Sequence, residues 1–420
     1  MKIVYLHQYF RTPEMGGGTR SYEFARRLAK QGHEVHVITS DADAARGMGS
    51  RRWRVSEEQG VTVHWAAIPY DNSMSYRRRL WAFGSFAWRA ARRAASIDHD
   101  VVFATSTPLT IAIPAVHAAR RRRSPFVFEV RDVWPETAIA LGALRTPLTK
   151  WAGHRLEEWA YRRARHVIAL SPGMAQSIQG RFPDVAVTVI PNGCDNAMFA
   201  SATADGAAYR AATPWLGDRP LLLYAGTLGR VNGVDYLVRM AAVLAQTHPE
   251  IRVAIVGRGA ERERVESLAA RLGVLRRNVF LLDQMPKTAI VGLFGACDVA
   301  LSTVVDQPAL HANSANKVFD AWAAGRPVAI NHEGWLADII RQTGCGLVLP
   351  AADPQRAAAM IGQFVSDPER LARASQAATM LARGRFDRDA LYARFERVLT
   401  SVVDADRTIE PERPTPTRRQ

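Results

Sequence analysis

Asn313-Ser-Ala-Asn-Lys-Val-Phe-Asp-Ala-Trp-Ala-Ala-Gly-Arg-Pro-Val-Ala-Ile-Asn331 holds a helix start, a helix stop and a buried strand in one short stretch. Ser314 or Asn316 is suited to accept from the free amides of a first turn, and Val318, Phe319, Ala321 and Trp322 share one helical face. Gly325 suits the position just past a helix end, so a helix is expected over 317–324 with a strand after it. The helix N-terminus offers unpaired N–H groups and a positive dipole end beside Lys317, and Asp320 follows in the first turn, where a carboxylate suits a sugar diol. That describes a cradle for a phosphorylated, hydroxyl-bearing ligand. The same residues read equally well as ordinary caps, a solvated lysine and a carboxylate that balances the dipole.

The 420-residue chain, 48% hydrophobic and 23% charged, suits two domains of about 200 residues each. No apolar run reaches the roughly 20 residues needed to span a bilayer. Residues 1–6 enter a strand directly, so no signal peptide is expected. Cys194, Cys297 and Cys345 are odd in number and far apart, which points to a reducing, cytoplasmic setting rather than a disulfide framework. His33 and His36 lie in a strand pattern and not at the spacing of a helical zinc pair, and no metal is expected. The net charge of +15 attracts anions, whether nucleic acid, phospholipid or phosphorylated substrate, and does not choose among them.

Working outward, residues 2–6, Gly16-Gly17-Gly18, a helix over 19–30 and a strand over 34–39 make a strand, glycine turn, helix, strand unit of parallel α/β type. The three glycines let backbone approach an anion at a helix start, or form a plain flexible turn; the G-x-G-x-x-G dinucleotide pattern is absent. Strands are expected at 61–67, 101–104, 126–130, 166–170 and 187–190, closing a first doubly wound domain over 1–195. Asn192-Gly193 marks a turn, and a linker without apolar periodicity is expected to Pro220. The pattern restarts at Leu221, with further strands at 251–256, 279–282, 299–302, 328–330 and 347–349, giving a second domain of the same class over 196–385. A helix is expected over 386–403 and a disordered tail over 404–420.

Residues 76–93 mix Arg77, Arg78, Arg79, Arg89, Arg92 and Arg93 with Trp81, Phe83, Phe86 and Trp88. Such a helix suits an anionic lipid headgroup layer, and equally a helix packed on a sheet with a solvated arginine face. No nucleic-acid recognition pattern accompanies the charge, and none of that class is expected as a partner.

These stretches together resemble the GT-B fold glycosyltransferases of family 4, within it the bacterial group that builds O-antigen, capsule and exopolysaccharide units. The likeness runs to about residue 400. It rests on Gly16-Gly17-Gly18 with Gly32-His33-Glu34-Val35, residues 100–108, Arg131-Asp-Val-Trp-Pro-Glu136, Pro191-Asn-Gly-Cys-Asp195, Tyr224-Ala-Gly226, Val256-Gly-Arg-Gly259 and residues 316–328. The resemblance implies two Rossmann-like α/β domains facing across a cleft. It implies a nucleotide-sugar donor held by the second domain, an acceptor held by the first, and retention of anomeric configuration without metal or other cofactor. It also implies that the last helix returns to the first domain.

Position by position, Asp320 falls on the second acidic residue of the family's E-x7-E pattern, a ribose ligand there, while the first falls on Ala312. The family's diphosphate-clamping Arg and Lys fall on Thr227 and Asn232, which leaves Lys317 and Arg230 as replacement candidates. The histidine that precedes Asp132 in the family is Arg131 here. The expected catalytic set is therefore Asp132, Arg131 and Lys317. Asp132 orients a hydroxyl or pairs with Arg131; both roles stay open. The expected donor set is Gly17, Gly18, Gly226, Thr227, Arg230, Asn232, Arg258, Ser314, Asn316 and Asp320. The resemblance and the charge together suggest UDP-linked sugar as donor and a polyprenyl-diphosphate-linked saccharide as acceptor. They also suggest peripheral attachment to the anionic inner face of the plasma membrane through 77–93. A GT-B epimerase-like enzyme and a non-catalytic membrane-binding protein are the competing readings.

Overall fold

The computed structural model describes residues 1–41, 52–69, 74, 76–140 and 142–409. The side chain of Arg77 and residues 410–420, both named above, lie outside the described residues.

Two parallel sheets organise the chain. The first has β1 (Lys2–Leu6), α1 (Arg20–Lys30), β2 (Glu34–Ser40), β3 (Trp53–Glu58), β4 (Val61–Ala66), α2 (Tyr76–Ser96), β5 (Val101–Thr105) and α3 (Ala112–Arg122). It continues through β6 (Phe126–Val130), α4 (Glu136–Ala140), α5 (Pro147–Arg163), β7 (His166–Ala169), α6 (Pro172–Arg181) and β8 (Val187–Val189). Strand order is β3-β4-β2-β1-β5-β6-β7-β8, parallel except for β3 against β4. β3, a polar edge strand with Val55 exposed, lacks the buried run that marks the others and was not among the expected strands.

The second sheet follows α7 (Ala202–Ala211) and contains β9 (Leu221–Ala225), α8 (Asp235–Thr247), β10 (Arg252–Val256), α9 (Arg262–Arg271), β11 (Val279–Leu282), α10 (Lys287–Ala296) and β12 (Val299–Ser302). It ends with α11 (Asn316–Ala323), β13 (Val328–Ile330), α12 (Trp335–Thr343), β14 (Gly346–Val348), α13 (Pro354–Val365), α14 (Pro368–Arg383) and α15 (Arg388–Ile409). Its order, β11-β10-β9-β12-β13-β14, is that of a Rossmann sheet, with the switch point between β9 and β12. In the first sheet the switch falls between β1 and β5, so in both halves the loops at these strand ends border a crevice.

Three expectations are corrected. The linker expected up to Pro220 contains α7, which meets α10 so closely that a Cβ on Gly206 would lie 2.2 Å from the Gly295 carbonyl carbon. Small residues, not an apolar stripe, make that contact. α15 runs to Ile409, so the tail expected from 404 is helical over its first six positions. At α11 neither Ser314 nor Asn316 caps: Ala315 holds the N-cap position with no side-chain hydrogen bond, while Gly325 does take a φ of +69° past the end.

α15 packs on the first sheet although it follows the second, with Phe395 against Phe24 and Phe103. The chain crosses out at Cys194 and back at Asp387 side by side, where Cys194 N donates to Phe386 O at 2.7 Å and Arg388 Nη2 donates to Gly193 O at 2.7 Å. Beneath the crevice, Arg20 is buried, and each of its three nitrogens donates a hydrogen bond. Its Nε and Nη2 donate to Glu129 at 3.0 and 2.8 Å, Nη2 to Ile190 O and Nη1 to Pro191 O. An unpaired charge here would be very costly, so the pair fixes the Pro191 carbonyl at the edge of the crevice.

Candidate active site

The crevice narrows around α11. A Cβ on Gly18 would lie 2.6 Å from Asn316 Nδ2 and 3.9 Å from Arg131 Nη2, so Gly18 of one half, Asn316 of the other and Arg131 converge. Gly16, at φ +66°, approaches Gln284 and Met285 across the same gap. Asn192 Nδ2 donates to Ser314 O at 2.5 Å, which joins the halves just ahead of the first residue of α11. Gly173 at the start of α6 packs on Ala312, with its would-be Cβ 3.3 Å from the Ala312 Cβ. Any side chain longer than alanine at 312 therefore has to turn away from α6.

Lys317 lies on the floor of the second half. Its Nζ is 4.1 Å from the Tyr224 ring centroid, and a Cβ on Gly226 would lie 2.9 Å from it. Among the described residues no carboxylate comes within ion-pair distance of it. Burial without a counterion lowers its pKa to about 7. Gly226 is thus required for space: the loop after β9 must lie flat beneath the ammonium. The neighbouring loop is as tight, since a Cβ on Gly257, at φ +146°, would lie 1.9 Å from Gly226 O.

Arg131 and Asp132 follow β6. They do not pair; Arg131 Nη1 meets His7 Nε2 at 3.3 Å, and Asp132 Oδ2 accepts from Thr107 Oγ1 at 2.8 Å. With Tyr9, Gly18, Asn192 and residues 313–316 these line a cavity of about 320 Å³. Asp132 is held as an acceptor at its wall, which suits orientation of a hydroxyl.

The remaining expected residues are placed as follows. Gly17, at φ +111°, lies in the glycine turn beside Gly18. Thr227 uses its carbonyl to accept from Tyr224 Oη and Asn232 Nδ2, each at 2.8 Å, so Asn232 braces the loop. Arg230 and Arg258 are exposed on the loops after β9 and β10. Asp320 is buried in an ion pair with Lys287, on the second turn of α11.

Sequence reasoning missed His7, Thr107, Arg20, Glu129 and Lys287. His7 was within reach, because a polar residue directly after a buried parallel strand sits at the crevice. Among the described residues one cluster has metal-ligand spacing, Glu136, His154 and Glu157, and the Arg181 guanidinium already meets both carboxylates there.

Residues 15–193 match the family described as Glycosyl transferase 4-like domain, and residues 206–380 match Glycosyl transferases group 1. A glycogen synthase of Mycobacterium tuberculosis is 24% identical over 99% of this chain and 98% of its own length. A D-inositol 3-phosphate glycosyltransferase of Acidothermus cellulolyticus is 33% identical over 46% of this chain and 42% of its own. Among solved structures, sucrose-phosphate synthase from Thermosynechococcus elongatus superposes with a TM-score of 0.77 at 17% identity, over 96% of this chain and 99% of its own. WaaG, a glycosyltransferase involved in lipopolysaccharide biosynthesis, gives 0.69 at 17%, over 95% and 99%. Both share the two-sheet fold.

Proposed function

As the chain is a GT-B glycosyltransferase with a 4-like half and a group 1 half, we propose that it moves a sugar from a nucleoside diphosphate, UDP in the first place, to a saccharide on a polyprenyl diphosphate during cell-surface polysaccharide synthesis. The observation that carries the reading is Lys317, an ammonium that has no carboxylate partner among the described residues and lies over Tyr224 at the start of α11, next in the chain to Asn316, which meets Gly18 of the glycine turn beside Arg131.

In this reaction the bond from the anomeric carbon to the diphosphate oxygen breaks, and negative charge grows on the leaving group. Lys317, Arg131 and the uncapped first turn of α11 meet that charge in place of a metal. The acceptor hydroxyl adds on the same face, its proton passing to the departing phosphate oxygen, so configuration is retained. Asp132, braced by Thr107, orients the hydroxyl. Gly17, Gly18, Arg230 and Arg258 border the phosphates and base, and Asp320 is the candidate for the ribose.

The lipid-linked acceptor is supported by one face of the first half. α2, α3 and α5 cover the same side of the sheet, and they expose Leu80, Trp81, Trp88, Ile113, Leu148 and Trp151 among arginines. This arrangement suits a cytoplasmic, anionic membrane surface. No helix among the described residues is long and apolar enough to cross a membrane. A phosphorylated polyol is the second reading for the acceptor, favoured by the relative named for D-inositol 3-phosphate.

Incubation with a panel of UDP-, GDP- and dTDP-sugars, each with a polyprenyl-diphosphate saccharide or inositol phosphate, tests both. Nucleotide release with an α- or β-linkage matching the donor is expected. Failure of every nucleoside diphosphate to bind defeats the proposal, and transfer to inositol phosphate alone replaces the acceptor.

A further inference from the structure

His7 and Asn192 both line the cavity at the start of α11, and each carries a polar atom that has no hydrogen-bond partner among the described residues. His7 is 3% exposed and Asn192 2%, so neither atom is met by bulk water.

The chemistry of their neighbours fixes which atoms these are. Arginine has only donors, so the His7 Nε2 facing Arg131 must accept, and the proton of the neutral ring is on Nδ1. Burial, and then the charges of Arg131 and Arg11, hold His7 well below its usual pKa, which keeps the ring neutral. Nδ1–H is therefore a donor with no partner. At Asn192 the Ser314 carbonyl can only accept, so the amide nitrogen faces it and Oδ1 is turned elsewhere, an acceptor with no partner. A buried donor and a buried acceptor left open on two residues that line one cavity cost free energy unless a bound group completes them. A hydroxyl does both at once, taking the place a water fills when no ligand is bound.

We infer that His7 and Asn192 form a recognition pair for a ring hydroxyl of a sugar seated in this cavity, His7 Nδ1–H donating to the hydroxyl oxygen and Asn192 Oδ1 accepting its proton. The inference rests on the glycosyl transfer proposed above and deepens it: the pair selects the sugar, while Lys317 and α11 hold the diphosphate. Ser314 and Arg131 set the aim of the pair, one through Asn192 Nδ2 and the other through His7 Nε2. The cavity, about 320 Å³, falls in the range of small-ligand sites. The ring belongs to the donor or to the acceptor, and the two are separable by experiment.

Two substitutions at His7 divide its nitrogens. His7→Asn places an amide N–H near the Nδ1 position and gives up the contact to Arg131; His7→Gln reaches the Nε2 position and gives up Nδ1–H. Calorimetry on wild type and both variants compares UDP with UDP-glucose, UDP-galactose and UDP-N-acetylglucosamine, and then titrates methyl glycosides into the UDP complexes. For a donor ring, His7→Gln lowers the ratio of UDP-sugar to UDP affinity roughly five- to tenfold, and His7→Asn restores most of it. For an acceptor ring, the same pattern appears in methyl glycoside binding instead.

Loss in His7→Asn with retention in His7→Gln would make His7 only a support for Arg131 and overturn the pair, and equal losses in both variants would overturn it as well. Unchanged ratios with intact UDP binding would overturn it alone. Absence of any nucleoside diphosphate binding in wild type would remove glycosyl transfer and the pair together.

Discussion

The ammonium of Lys317 stands 4.1 Å from the ring centroid of Tyr224, and a Cβ on Gly226 would lie 2.9 Å from it. The ring offers a cation a weak partner, and burial prevails: the pKa falls to about 7. A diphosphate arriving beside it restores the charged form. Nucleoside diphosphate binding is therefore expected to take up a proton above pH 7 and to weaken as pH rises, which the buffer dependence of calorimetric enthalpies reads out. For stability the sign is opposite. The unfolded lysine titrates near 10.5, so between about 7 and 10.5 the unfolded chain holds more protons, and this group makes the fold more stable as pH rises. Lys317→Met should cost UDP affinity roughly ten- to hundredfold while leaving the melting temperature unchanged or higher.

Two glycines a few ångströms apart separate site from scaffold. In Gly226→Ala the new methyl meets only the flexible end of Lys317, so the fold should persist while UDP affinity drops. In Gly257→Ala it meets the rigid Gly226 carbonyl from a left-handed backbone position, and the melting temperature should fall sharply. A loss of stability in the first variant equal to that in the second would contradict the flat-loop account.

Asp320 shares its burial with Lys287. Asp320→Asn leaves an unpaired buried ammonium and should destabilise by about 3–5 kcal/mol, measured by urea unfolding. Asp320→Asn with Lys287→Met should recover most of that. If the double variant still binds UDP as wild type does, Asp320 holds the helix and not the ribose.

Trp81 and Trp88 are more than half exposed, at 59% and 58%, on a helix without acidic residues. Trp81→Ser with Trp88→Ser should lower binding to phosphatidylglycerol vesicles by about an order of magnitude at low salt, and added salt should weaken wild type as well. Nucleotide release with a soluble acceptor should be unaffected. Wild type that ignores anionic vesicles would leave the face without a lipid role.

What could be read from the sequence followed burial. Strands such as Val253–Val256, apolar on both faces, and the helix stop at Gly325 stand out because one-dimensional pattern and three-dimensional burial coincide there. β3 escaped because an edge strand shows half its residues to water, and α7 because Gly206 against Gly295 packs backbone on backbone. In the site, Gly18, Arg131, Asp132 and Asn316 line one cavity, while Lys317 lies beside it against Tyr224 and Gly226. The capping of α11 and the partners of Asp320 were not legible, since both depend on Lys287 and Asn192, which are distant in sequence.

The paired crossings at Cys194 and Asp387 make the second half a guest inserted into the first. Removing 197–384 and joining the neighbouring ends through a short linker should leave a self-contained host with α15 as its clasp. The guest's release would also show how much of the acceptor binding proposed for the first half survives without the second.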